Sequence, residues 1–137
     1  MARQALRWLD VIVYLAILAL AAWLGPRAAP WYVGLCLSVA SAPLWFLAKW
    51  QLGEAFSVKP EARRLVTRGL YSKLRHPIYV FGSAAFFGAF MALYGWSVLV
   101  AWVVVALIQV RRAHREDRVL AEAFGPAYAA YRSRTWF

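Results

Sequence analysis

Two short stretches of this chain group side chains that can bind anions, pair with cations or carry protons. The first is Arg75-His76-Pro77, at the head of a long apolar run; the second is Glu116-Asp117, inside the charged stretch RRAHREDR. His76 is one of two histidines, the other being His114. Proline suits the first turn of a helix, so Pro77 predicts a helix start with His76 beside unpaired backbone N–H groups. A polar pocket there favours anionic groups; the simpler reading is a cationic flank where a helix enters a membrane. For Glu116-Asp117 the simpler reading is solvated pairing with Arg112, Arg115 or Arg118, worth about 0–1 kcal/mol. Tyr128 and Tyr131, three apart, read by default as interfacial packing. The sequence contains no P-loop, zinc-ligand spacing, nucleophile elbow or dinucleotide glycine fingerprint. A single cysteine, Cys36, excludes an internal disulfide, and no Cys/His spacing offers a metal site.

The elements that must hold these residues are apolar helices. Hydrophobic residues make up 64% of the 137, and the mean hydropathy is +0.55. That is more apolar surface than a water-soluble fold of this size can bury, and it predicts an all-α integral membrane protein. Four apolar runs stand out, over 8–24, 31–50, 78–94 and 96–110. Runs of about 17–20 residues approach the ~30 Å hydrocarbon thickness. The fourth is short and borrows length from the snorkelling stems of Arg111 and Arg112. Gly25-Pro26-Arg27 and Tyr94-Gly95 link the runs into two helical hairpins. Trp8, Trp23, Trp31, Trp50, Tyr94 and Trp96 lie near run ends, where amphipathic rings prefer the interface. The first run is long and no small-x-small site closes it cleanly, so it reads as a retained anchor.

The net charge of +10 is unevenly placed. Arg3 and Arg7 precede the first run. Lys49, Lys59, Arg63, Arg64, Arg68, Lys73 and Arg75 are assigned to the connector between the second and third runs. Arg111, Arg112, Arg115, Arg118, Arg132 and Arg134 follow the fourth, and only Arg27 lies opposite. With four spans, the positive-inside rule places both termini and the long connector in the cytoplasm. All six acids, Asp10, Glu54, Glu61, Glu116, Asp117 and Glu122, fall on that side too. Polar chemistry is expected there. The basic excess is then a topology signal that also attracts anionic lipid headgroups, and nucleic acid is not an expected partner.

Within the connector, Pro60 and Gly69 interrupt helix formation, and Gly69 permits positive φ or close backbone approach. In the tail, Val119, Leu120, Ala123 and Phe124 share one helical face. The fourth helix is therefore predicted to continue as an amphipathic segment, stop at Gly125 and restart at Pro126.

Together these pieces resemble the isoprenylcysteine carboxyl methyltransferase family of integral membrane methyltransferases, which is itself similar to the phospholipid N-methyltransferases. The resemblance runs in order over about residues 50–135. It begins with Leu52-Gly53 and Phe56-Ser57, then Leu65-Val66-Thr67-Arg68-Gly69-Leu70-Tyr71, then Arg75-His76-Pro77 with Tyr79. It closes with Glu116-Asp117 and Leu120, Phe124-Gly125 and Tyr128, and Tyr131 with Arg134.

The resemblance implies an S-adenosylmethionine (SAM) site built from the connector, the start of the third span and the tail. It assigns cofactor binding to His76, Tyr79, Gly69, Leu70, Leu74, Glu116 and Asp117. Catalysis falls to Glu116, Arg75 and Arg134, with Tyr131 in a substrate-side or structural role. On this reading Glu116 pairs with the cofactor's amino group, His76 or Arg75 with its carboxylate, and Tyr79 faces the sulfonium. The family's acidic pair is typically Glu-Glu; Asp117 is one methylene shorter and is expected to hold its contact less tightly. The implied acceptor is lipophilic and enters from the bilayer: a prenylcysteine-like carboxylate, a phospholipid amine, or a small lipophilic thiol or acid. The whole chain is expected to form one domain, with 1–50 as an N-terminal hairpin and 51–137 as the catalytic region. It is expected to act as a monomer in the cell membrane. Two other functional classes fit the sequence less well. An NADPH-dependent reductase of the sterol-reductase type would need a 2′-phosphate site, for which the sequence offers only scattered arginines. A non-enzymatic membrane scaffold would have no need of both polar motifs.

Overall fold

Each apolar run forms a helix, and the helices extend past the runs at their polar ends. The structure, a computed structural model, describes residues 2–53 and 65–137, with side chains from residue 8 onward. It is all-α, with helices α1 (Ala2–Leu24), α2 (Ala29–Leu52), α3 (Pro77–Tyr94) and α4 (Val98–Arg132). Two 3-10 turns, Gly69–Ser72 and Gly95–Ser97, lie between them. Trp96, expected to open the fourth run, sits instead in the second of these turns, because the chain leaves α3 through Gly95. Phe56-Ser57, Pro60 and the charges Glu54, Lys59, Glu61, Arg63 and Arg64 lie outside the described residues.

Helix α2 and the stretch Pro77–Arg132, which carries α3 and α4, are long and apolar enough to cross a membrane; Trp8–Leu24 is a shorter apolar helix. Only 28% and 17% of the two apolar windows are buried inside the protein. Core helices of a soluble fold would be mostly buried. Here side chains such as Trp23 and Val100 are 79% exposed, which is the surface expected to face lipid.

Helix α3 is the hub, touching α1, α2 and α4, and its contact with α2 is the most extensive. Gly34 and Gly88 bring those two backbones together: a Cβ on Gly34 would lie 2.5 Å from the Gly88 carbonyl oxygen. Ser38, Ala85 and Ala89 are fully buried in the same interface. Lipid gives helices no hydrophobic reason to associate, so close packing of small residues and interhelical hydrogen bonds must do so. Ser38 Oγ donates to the Ala85 carbonyl at 2.8 Å, and the Tyr14 hydroxyl lies 2.7 Å from the same Oγ, tying in α1. Tyr14, Trp45 and Phe86 then pack edge to face, with ring centroids 5.3–5.5 Å apart. Each such pair contributes about 0.5–1.5 kcal/mol beyond area burial.

Lys49 departs from its assignment to the connector. It lies within α2, its side chain 0% exposed, and pairs with Asp10 of α1. Its Nζ lies 5.5 Å from the centroid of Trp8 and 5.4 Å from that of Trp45. The helix continues to Leu52, and its rotation turns Lys49 inward. A buried ammonium needs such a partner, so this cation holds α1 to α2 rather than marking a membrane border.

Candidate active site

Helices α3 and α4 run antiparallel from the Gly95–Ser97 turn, so residues equally distant from the turn meet. Phe87 packs on Trp102 with centroids 5.4 Å apart. Gln109 Nε2 donates to Ser83 Oγ at 3.4 Å, and the Arg112 guanidinium lies 5.6 Å from the Tyr79 ring centroid. At the polar end His76 meets Asp117, Nε2 to Oδ1 at 2.8 Å. His76 Nδ1 is 3.7 Å from Glu116 Oε2. The two acids therefore face a histidine across the hairpin, a partner absent from the adjacent-arginine reading.

The acids divide by depth. Asp117 is 9% exposed, and the Tyr128 hydroxyl donates to the same Oδ1 that meets His76. Burial by itself would raise the Asp117 carboxyl. The hydrogen bonds from His76 and Tyr128, with the charges of His76 and Arg75, outweigh it and hold the group below the usual carboxylate range. The Glu116 side chain remains 34% exposed. The shorter acid is thus committed to protein partners, and the longer one is left at the rim.

Tyr128 reaches Asp117 only because α4 breaks. Eleven residues of straight helix would separate them by roughly 16 Å. Gly125, at φ 47 and ψ −121, interrupts the helix just before Pro126, where the stop and restart were predicted. Tyr131 beyond the break donates its hydroxyl to the Tyr71 carbonyl at 2.7 Å. Both tyrosines are buried and hydrogen-bonded inward, so interfacial packing does not describe them. Burial pushes Tyr131 up to about 12; the nearby Arg75 charge opposes this, and those of Asp117 and Glu116 add to it. Its hydroxyl stays protonated and able to donate at neutral pH.

The segment leading into α3 is held on both sides. Leu74 pairs in a parallel bridge with Trp136, and the Trp136 N–H donates to the Lys73 carbonyl at 2.7 Å. The Arg75 N–H donates to the Phe137 carbonyl at 2.9 Å. Rings pack around His76: Tyr79 stacks at 5.6 Å and Phe137 meets it edge-on at 5.8 Å. Arg75 Nε is buried and has no hydrogen-bond partner among the described residues.

The fold thus gathers Arg75, His76, Tyr79, Glu116 and Asp117, with Gly69, Leu70 and Leu74 on the adjoining turn. Arg134 stands apart. It lies just past the end of α4, is exposed, and donates from Nε to the Ala130 carbonyl at 3.1 Å. Sequence reasoning missed three participants. Tyr128 had a signal in its spacing after Phe124-Gly125, but its target could not be read from it. Gln51, whose Oε1 accepts the Leu70 N–H at 2.8 Å, precedes the motif at Leu52-Gly53, and the Trp136-Phe137 backbone carries no motif at all.

These features define a class: an all-helical protein of membrane character with a polar site at one end of a helical hairpin. Residues 27–127 match the family Phospholipid methyltransferase, well over half of the 137 residues, and the chain belongs to that family. Of the two related families named from the motifs, this is the one matched. Membership implies a membrane methyltransferase that uses SAM. Searches of curated proteins and of solved structures return no match.

Proposed function

We propose that this protein is a SAM-dependent methyltransferase that methylates the amine of a phospholipid headgroup at the membrane surface. The observation that carries the proposal is the meeting of Arg75-His76 with Glu116-Asp117 at the end of the α3–α4 hairpin, in a chain of this family. The residues present fit a ligand that bears an amino-acid group. Arg75 Nε is a buried donor lacking an acceptor among the described residues, which suits a carboxylate, and Glu116 offers an accessible anion to an ammonium.

When bound, SAM supplies an activated methyl group on a sulfonium. Arg75 and the N-terminus of α3 would hold its carboxylate, and the Gly69–Leu70 turn with Leu74 would receive the adenine. Tyr79, with the Arg112 guanidinium 5.6 Å from its ring centroid and His76 stacked on it, would border the cofactor's methyl-bearing end. Positioning of this kind supplies much of the rate of an in-line displacement. A headgroup ammonium must first lose a proton, and Glu116 accepts it from the rim of the site. The contact of His76 Nε2 with Asp117 orients the ring so that Nδ1 lies 3.7 Å from the Glu116 carboxylate. This reading takes α1–α4 as four spans, with the polar end and both termini cytoplasmic, and the acceptor entering a monomer from the bilayer.

The test is calorimetry on detergent-purified protein with SAM, and with NADPH as control. Transfer of labelled methyl to phosphatidylethanolamine or to a prenylcysteine is then followed. Saturable SAM binding with label on the headgroup amine is the expected result. A well-folded protein that binds no SAM, or that binds NADPH instead, overturns the reading. Label on the prenylcysteine alone overturns the choice of acceptor.

A further inference from the structure

We propose that Gln51 is a positioning residue of the cofactor site, setting the Gly69–Leu70 turn through its side-chain oxygen. The inference rests on the SAM-binding reading above and deepens it. Gln51 lies in the last turn of α2, and its Oε1 accepts the Leu70 N–H at 2.8 Å. The first N–H groups of a helical turn have no partner within it. Arg68, at the cap position, makes no side-chain hydrogen bond to them. Gln51 therefore caps this turn from another helix, 19 residues away in sequence.

The geometry admits few alternatives. Gly69 has φ +62, a conformation glycine adopts without strain. A Cβ there would overlap Cδ, Oε1 and Nε2 of Gln51 together, so the amide lies flat against the glycine. Ala48, Val66 and Tyr71, with Leu52 and Leu70, pack into an apolar cluster beside it. On the tail side, Tyr131 holds the turn by the Tyr71 carbonyl. Gln51 thus fastens the cofactor turn to α2 and acts on the ligand through that turn.

The test uses three proteins: wild type, Gln51→Glu, which keeps an oxygen acceptor, and Gln51→Leu, which keeps the bulk and removes it. SAM affinity is measured by calorimetry, and protection of the Leu70 amide by hydrogen exchange. Gln51→Leu is expected to weaken SAM binding by about fivefold to tenfold, the worth of one hydrogen bond, and to lose Leu70 protection. Gln51→Glu should stay near wild type in both. In turnover, the loss should appear in KM for SAM and leave kcat nearly unchanged. Gln51→Leu that binds SAM as tightly as wild type overturns the proposal, whether or not Leu70 loses protection. A wild type that protects Leu70 but binds no SAM sinks the methyltransferase reading and the cofactor role of Gln51 with it. Protection retained in Gln51→Leu removes the hydrogen bond alone as the cause.

Discussion

His76 and Asp117 hold each other across the α3–α4 hairpin, Nε2 to Oδ1 at 2.8 Å, although 41 residues separate them in sequence. The contact closes the polar end of the hairpin. It also makes Asp117 the acceptor for two buried donors, since Tyr128 shares its Oδ1.

Removing that acceptor should be costly. Asp117→Ala leaves His76 Nε2 and the Tyr128 hydroxyl without a partner, at about 1–3 kcal/mol for each unsatisfied group. Asp117→Asn keeps an oxygen and loses only the charge, so it should fall between wild type and Ala. Thermal unfolding in detergent reads the order directly. An Ala variant melting with wild type would deny Asp117 its inward role.

Acid should loosen the site through the same carboxyl. Its folded value is depressed below the ordinary 3.8, so the folded state binds this proton less readily than the unfolded chain. The stabilisation is fully present above the unfolded value and is lost as pH falls through the folded one. Wild type should therefore lose thermal stability on acidification below about pH 4–5 more steeply than Asp117→Asn. Parallel profiles for the two proteins would place the acid sensitivity elsewhere.

Tyr128→Phe isolates the third member of the cluster. It removes a hydrogen bond to a charged acceptor, worth about 1.5–3 kcal/mol, without opening a cavity. In an Asp117→Ala background the same change should cost little, because the acceptor is already gone. A double-mutant cycle showing simple additivity would mean that the two side chains do not interact.

The Asp10–Lys49 pair should respond asymmetrically. Lys49 is 0% exposed and Asp10 41%. Asp10→Ala takes a paired carboxylate away from a buried ammonium and should destabilise by up to about 3–5 kcal/mol. Lys49→Met leaves a carboxylate that can still reach water, and should be much milder. Equal losses in a denaturation series would contradict this account of α1 packing.

Glu116→Gln addresses the chemistry. As the rim acid that takes the headgroup proton, Glu116 should contribute about 10²-fold or more to kcat. SAM affinity should fall as well, because the same carboxylate faces the cofactor's ammonium, while Arg75 and the Gly69–Leu70 turn remain to hold the rest. A weakened affinity with kcat unchanged would leave Glu116 the cofactor-binding role alone.

Much of this protein was legible before its fold. Run length and hydropathy placed the helices, because lipid leaves a spanning backbone no hydrogen-bond partners but its own. The break at Gly125-Pro126 was local chemistry too, as was the helix start at Pro77. The motifs also contained both sides of the polar cluster, Arg75-His76 and Glu116-Asp117. What the chain order could not carry was which way each residue faces. Lys49 turned inward, Asp117 and Glu116 split between interior and rim, and Tyr128 and Gln51 found targets that no spacing announces. Those outcomes depend on helix rotation and on register between helices. Register comes from backbone contact at Gly34 and Gly88 and from the tight turn at Gly95–Ser97, and rotation from which side chains fill the space between. Intrahelical hydrogen bonds reach four residues along the chain; the contacts that make this site join residues 11 to 63 apart.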